Sequence, residues 1–185
     1  MTLFADRGFA ATSITMIEGA AGLARGGGGV YKHFASKQAV LEAGIRRYEE
    51  QQGRLLSTDV RATDVALLDG LLLSARLGLG MLQSQRELIK VLFREMAPFP
   101  DLLAGLRERY IQATYAFFAA WLDELVTAGE VDAGVDTGAA AVVLVGAMVN
   151  YVVVETMLGE APGPIPEERF VASWVDLAER ALRPS

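Results

Sequence analysis

The 18 residues from Thr137 to Val154 carry no charge, and this stretch limits the fold more than any other. It reaches only the lower limit for a membrane span, which needs about 20 apolar residues. Its flanks are the acids Asp136 and Glu155, with no Lys/Arg bias to set an orientation. Asn150 and two glycines, Gly138 and Gly146, interrupt it. No membrane span is therefore expected. A helix that is apolar all round has to be covered on every side. The segment is expected inside a helical protein and against a second copy of it. Gly138, Ala139, Ala140, Gly146 and Ala147 are small enough to let another helix approach closely. With an apolar face on the last helix, they predict a two-fold homodimer through the last two helices.

The rest of the chain also reads as helix. Apolar residues recur at helical spacing, and no strand-period segment or repeat breaks the pattern. Asp64–Ser84 is leucine-rich. Arg86–Met96 places Leu88, Leu92 and Met96 on one face, with Ile89 and Phe93 beside them. Pro98 and Pro100 break the chain. A long helix is expected from Asp101 to about Ala128. One stripe holds Leu103, Leu106, Tyr110, Phe117 and Trp121, and a second holds Ile111, Tyr115, Phe118, Leu122 and Leu125. Asp136 caps the uncharged helix, which should run to Leu158. Pro166 suits the first position of a final helix, whose face is Phe170, Trp174, Leu177 and Ala181. The fold class is all-α.

The N-terminal segments are much shorter. Gly8 can stop the first. Thr12 or Ser13 can cap the second, in which Ile14, Ile17 and Ala21 recur before Gly22 closes it. A third segment, "RGGGGVYKHF" from Arg25 to Phe34, opens with four consecutive glycines. Each glycine costs roughly 1 kcal/mol relative to alanine in a helix interior. Ser36 can cap a fourth, with Val40, Leu41, Ile45 and Tyr48 on its apolar face. Short helices joined by a tight turn at Gly22-Leu23-Ala24 form the pattern of a helix-turn-helix. In such a unit the second helix braces across the DNA backbone and the third enters the major groove. Val30 and Phe34 suit the inner side of the third, while Arg25, Lys32 and His33 suit the outer.

The stretch Leu3–Ala43, "LFADRGFAATSITMIEGAAGLARGGGGVYKHFASKQAVLEA", resembles the N-terminal signature of the TetR/AcrR family of transcriptional regulators. That pattern reads Leu-Phe-x-x-x-Gly-Phe-x-x-Thr-[Ser/Thr]-[Ile/Val]-x-x-Ile-Ala-x-x-Ala-Gly-[Val/Leu]. After a short stretch it continues Tyr-x-[His/Tyr]-Phe-x-[Ser/Asn]-Lys. Two departures stand out. The first helix begins later than is usual in the family and is expected to lack its N-terminal part. The chain also has more residues between Gly26 and Tyr31 than the pattern has.

The resemblance implies a bacterial, cytoplasmic, dimeric regulator, most simply a repressor of transcription. Residues 1–48 would form a helix-turn-helix DNA-binding domain. Residues 49–185 would form an all-helical ligand-binding and dimerisation domain. Its partners would be double-stranded, near-palindromic operator DNA and a small apolar or amphipathic effector that releases it. Thr12 and Ser13, at the start of the second helix, match positions typically used on the phosphate backbone, as do Tyr31, His33 and Lys37. For Thr12 and Ser13 plain capping is the other reading, and for His33 a surface position. Arg25 and Lys32 can reach base edges or stay solvated. Gly26, Gly27 and Gly28 would weaken the first turn of the recognition helix and bring bare backbone near the groove. Glu18 and the Glu49-Glu50 pair read as solvated faces.

An effector pocket needs an apolar cavity with a few polar groups. Arg94, Tyr110, Tyr115, Trp121 and Asn150 are the candidates. A buried Asn150 amide would need a partner, either a ligand or its symmetry mate.

Composition narrows the function further. The net charge of −6 is uneven: residues 1–54 carry a small positive surplus and the rest is acidic. There is no cysteine and one histidine. Thiol chemistry and multi-histidine metal sites are thereby excluded, and no metal or cofactor is expected. Absence of cysteine fits a reducing interior, and "MTLFADRGF" does not read as a signal peptide. No HExxH or Gly-x-Ser-x-Gly motif occurs, and no Gly-Lys-Ser/Thr follows the glycines. An enzyme is not expected. A dimeric small-molecule-binding protein with a degenerate DNA-binding head is the alternative.

Overall fold

A computed structural model of the chain describes residues 1–57, 66–95 and 111–184. Eight α-helices and no strand occur among them. They are α1 (Thr2–Ala11), α2 (Ile14–Ala20), α3 (Lys37–Ser57), α4 (Leu67–Ser84), α5 (Arg86–Glu95), α6 (Gln112–Ala128), α7 (Thr137–Leu158) and α8 (Glu167–Leu182). The described residues divide into two compact units. The first contains residues 1–57 and 87–95, and the second contains 66–86 and 111–184. The expected boundary at residues 48 and 49 falls inside α3, which runs on to Ser57. Met96, Pro98, Pro100, the start of the long helix at Asp101, and Tyr110 lie outside the described residues.

In the first unit, α1 buries Phe4 and Ala5. It breaks at Gly8 (φ 80°, ψ 165°), a conformation open to glycine, so the expected stop is in place. Ser13 caps α2, its side chain accepting the Met16 N–H at 3.2 Å. At the other end Gly22 adopts φ 71°. The Leu23 N–H then reaches the Glu18 carbonyl at 2.9 Å, and the Gly22 N–H reaches Gly19 at 3.2 Å. These two bonds form a Schellman motif. Ser36 caps α3 through the Ala39 N–H, and Leu41 and Ile45 are fully buried. From α5, Leu88, Ile89 and Val91 add to this core, while Phe93 stays exposed.

The expected third helix is not formed. Between Ala21 and Ser36 the regular structure is one 3-10 turn, Val30–Lys32. The cause is local. Gly26 and Gly28 take φ of 72° and 69°, which breaks an α-helix twice within three residues. What survives is the end with side chains, anchored by Val30, which is 5% exposed and packs the turn against α2.

In the second unit, α4 packs against α7 and α8, and α6 packs against α7. Leu71, Ala75 and Leu79 form a fully buried stripe on α4. At Gly70 a Cβ would stand 2.6 Å from Trp121 Cζ2, so the missing side chain lets the indole lie on the helix backbone. Helix α6 buries Phe118, Trp121, Leu122 and Leu125, but Phe117 is exposed. Its first apolar stripe is therefore not wholly core.

Asp136 caps α7, its carboxylate accepting the Ala139 N–H at 2.9 Å. Helix α7 buries Ala141, Val145, Met148, Tyr151 and Val152 and leaves Val142 and Val143 exposed. Only 28% of its most apolar stretch is buried within the chain. On α8 the buried face is Val171, Trp174, Val175, Ala178 and Leu182. Leu177 and Ala181, expected on the inner face, point to solvent. Each residue turns a helix by about 100°, so two adjacent apolar stripes differ by a single step in sequence. Trp174 selects the inner one: its indole N–H donates to the Leu144 carbonyl at 2.9 Å.

Candidate nucleic-acid interface

The first unit holds all ten residues expected at DNA, but it uses them in different ways. Ser13, Arg25, Tyr31, Lys32 and His33 are exposed. Tyr31 is 58% exposed, high for an aromatic ring and suited to a phosphate contact. The turn carrying Tyr31, Lys32 and His33 is closed by the His33 and Phe34 N–H groups, which both donate to the Val30 carbonyl at 3.0 Å. Arg25 lies across α2: a Cβ at Gly19 would stand 2.6 Å from its Nε.

Two expected phosphate ligands are occupied within the chain. Thr12 is 0% exposed, and its hydroxyl bonds the Gly8 carbonyl at 2.7 Å and that of Leu3 at 3.1 Å. The hydroxyl replaces hydrogen bonds that α1 loses where Gly8 breaks it. Lys37 Nζ donates to the carbonyls of Phe9 (2.6 Å), Thr12 (2.7 Å) and Ala10 (3.5 Å) and sits 4.3 Å from the Phe9 ring centroid. A lysine ammonium has three donors, and two of them are held by short bonds within the chain. A cation over carbonyls at a helix C-terminus is electrostatically favourable. Thr12 and Lys37 hold the end of α1, and their side chains are not offered to phosphate.

The glycines meet an unexpected partner. Glu18, read from sequence as a solvated acid, is 1% exposed. Its Oε2 accepts the Gly26 N–H at 2.6 Å, and its Oε1 is buried without a hydrogen-bond partner. The Gly27 N–H closes a turn onto the Ala24 carbonyl at 3.1 Å. One sequence signal points to Glu18: it stands where the quoted pattern has alanine, directly after the isoleucine.

The five expected effector residues do not form one group. Arg94 belongs to the first unit, where Nη1 donates to the carbonyls of Ala5 (2.7 Å) and Asp6 (2.9 Å). Asn150 is exposed, so the expectation of a buried amide is not met. Tyr110 is outside the described residues. Tyr115 is half-buried on α6. Trp121 is 7% exposed, stacks edge-on against Phe118 at 5.1 Å between centroids, and keeps an indole N–H without a partner. Sequence reading also passed over Arg86 as a site residue. Arg86 pairs with Glu155 at 2.5 Å, while Arg86 Nε and the Thr156 hydroxyl are buried without partners.

Residues 1–43 match the model of the bacterial regulatory proteins of the tetR family. Over those residues the chain is similar to the N-terminal part of that family. No curated protein matches it. Among solved structures, a tetR-family regulatory protein from Rhodococcus RHA1 superposes with a TM-score of 0.70 at 21% identity, covering 100% of this chain and 93% of that one. A TetR-family transcriptional regulator from Mesorhizobium loti gives 0.69 at 22% identity, covering 99% and 92%. The ketosteroid transcriptional regulator KstR2 of Mycobacterium tuberculosis gives 0.65 at 15% identity, covering 100% and 91%. At these identities the likeness is one of fold: an all-α body follows the helix-turn-helix head. TetR-family regulators bind DNA and are not enzymes. In this chain a glycine loop and a single 3-10 turn stand between α2 and α3.

Proposed function

We propose that the chain is a TetR-family regulator, a dimeric, cytoplasmic repressor that binds a near-palindromic operator and leaves it when a small apolar or amphipathic effector binds. The exposed set Ser13, Arg25, Tyr31, Lys32 and His33 on a TetR-type head carries the reading. A serine hydroxyl, a phenol and three basic groups on one small unit suit phosphate positioning with limited base reading. The first compact unit acts as the DNA-binding part and the second as the regulatory part.

The dimer is inferred from α7 and α8. Val142, Val143 and Leu177 are 55%, 68% and 67% exposed, and a Cβ at Gly146 would meet nothing within 4 Å. A second copy offering the same face would cover them, with Asn150 at that face and not in a pocket. The effector class rests on Trp121, whose buried, unpartnered indole N–H suits an acceptor on an otherwise apolar molecule. The similar KstR2 is a ketosteroid regulator.

A gel shift with the intergenic DNA upstream of the protein's own gene tests the reading. A sequence-specific shift that weakens with salt is expected. If the full-length chain shows no such shift, the repressor reading is wrong. One observation favours the alternative, a small-molecule-binding dimer with a degenerate head: the glycine segment forms no α-helix.

A further inference from the structure

We infer that Glu18 is the positioning residue of the DNA-reading loop, fixing where Tyr31, Lys32 and His33 stand relative to α2. The inference rests on the DNA-binding reading above and deepens it. A recognition helix positions its own side chains through its backbone ladder. This chain has no such ladder between Ala21 and Val30. Four glycines there have the widest conformational freedom of any residues, so ordering them costs the most entropy. Something outside the loop has to select one conformation.

Two anchors bracket the choice. Val30, 5% exposed, fixes the far end by burial. Glu18 fixes the middle: its Oε2 takes the Gly26 N–H at 2.6 Å, a short bond to an ionisable acceptor and of the stronger kind. Gly26 is also the first of the two positive-φ positions in the four-glycine run, where that run departs from helical backbone. Glu18 sits in the last turn of α2, whose end is locked by the Schellman bonds of Gly22 and Leu23. The carboxylate therefore projects from a fixed base. Being 1% exposed, it does not touch DNA itself.

Burial of Oε1 without a partner separates this role from a stabilising one. A buried, unsatisfied oxygen works against folding. A residue kept for stability alone would be better apolar. Glu18→Met keeps the length and removes the acceptor. Glu18→Gln keeps an oxygen able to accept from Gly26.

The test is selection from a random-sequence duplex library, with melting temperature and Gly26 amide exchange measured on the same full-length proteins. Wild type is expected to enrich one near-palindromic sequence. Glu18→Met is expected to melt no lower, to lose protection at Gly26, and to lose about tenfold in preference for that sequence over bulk duplex, the equivalent of one such hydrogen bond. Glu18→Gln is expected to recover most of the preference. If Glu18→Met enriches the same sequence with the same preference, Glu18 does not position the loop. If wild type enriches nothing, it is the DNA-binding reading that fails. Should Glu18→Met melt lower, Glu18→Gln decides: normal stability with wild-type selectivity supports the role, and normal stability with lost selectivity overturns it.

Discussion

The head and the body of this protein are held together by different chemistry. In the body, helices of 16 to 22 residues bury broad apolar faces: Leu71 and Leu79 on α4, Leu122 on α6, Val152 on α7. In the head, α1 and α2 have 10 and seven residues, and short helices are mostly ends. Each end leaves up to four main-chain groups without a helical partner. Side chains satisfy them: Thr12 and Lys37 take carbonyls at the end of α1, and Arg94 takes those of Ala5 and Asp6; in the loop that follows α2, Glu18 likewise takes the Gly26 N–H. A small domain with little core spends its polar side chains on its own backbone. Such residues are therefore poorly available to a ligand, whatever their charge.

The largest test of this contrast is Leu122→Ala in the body. Leu122 is fully buried, and removing such a leucine costs about 2–5 kcal/mol. Calorimetry should show a clear fall in the main melting transition. A loss below about 1 kcal/mol would mean that the body is not held by close packing, since volume-conserving changes cost that little.

Lys37→Met comes next. It removes the ammonium but keeps an apolar stem over Phe9, leaving the carbonyls of Phe9 and Thr12 without their donor. About 2 kcal/mol of head stability should go, as for hydrogen bonds to a charged group. The informative quantity is the salt dependence of DNA binding. A lysine on phosphate contributes about one unit to that slope. A lysine that clamps α1 contributes none, so affinity should fall while the slope stays. A flattened slope would place Lys37 on the DNA after all.

Thr12→Val is smaller. The shape is kept and the hydroxyl lost, so the one proton shared by the Gly8 and Leu3 carbonyls goes at a fully buried site, for about 1–3 kcal/mol. Thr12→Ser should recover most of it. If both variants melt like wild type, the Gly8 break is supported by something other than this hydroxyl.

How far the sequence revealed all this follows the same division. Caps and stops were legible, because Ser13, Ser36, Asp136, Gly8 and Gly22 act through their immediate neighbours. The all-α class was legible, because helical spacing of apolar residues is a local pattern. Inner and outer faces were harder. Phe117 and Leu177 are as apolar as their neighbours, and only the register of packing sends them outward. Glu18 and Arg94 were misread for the reason that sets the head apart: their partners are backbone groups eight or more residues away. A residue type says nothing about such a bond. The glycine run was half legible, since its cost to a helix is intrinsic, but the carboxylate that orders it is not.

The smallest effect asks whether the contrast extends to tyrosines. Tyr48 lies in the head, and its hydroxyl is 3.4 Å from Glu87 Oε2. Tyr151 lies in the body, and its hydroxyl donates to the Ile165 carbonyl at 3.0 Å. Burial raises both phenols above the usual 10.0, with Glu87 adding to the first and Glu155 to the second. The neutral form is favoured in the folded state, so the stability it brings is complete below pH 10.0. It is lost as pH rises from there through the folded-state value, because the unfolded chain gives up its proton first. Denaturant midpoints followed from pH 9 to pH 11 should fall, about where unperturbed tyrosines titrate. Tyr48→Phe and Tyr151→Phe should each flatten the fall, because burial is the largest cause of the raised value at both. If neither variant flattens it, the fall has another source, and burial does not hold the two phenols neutral in either the head or the body.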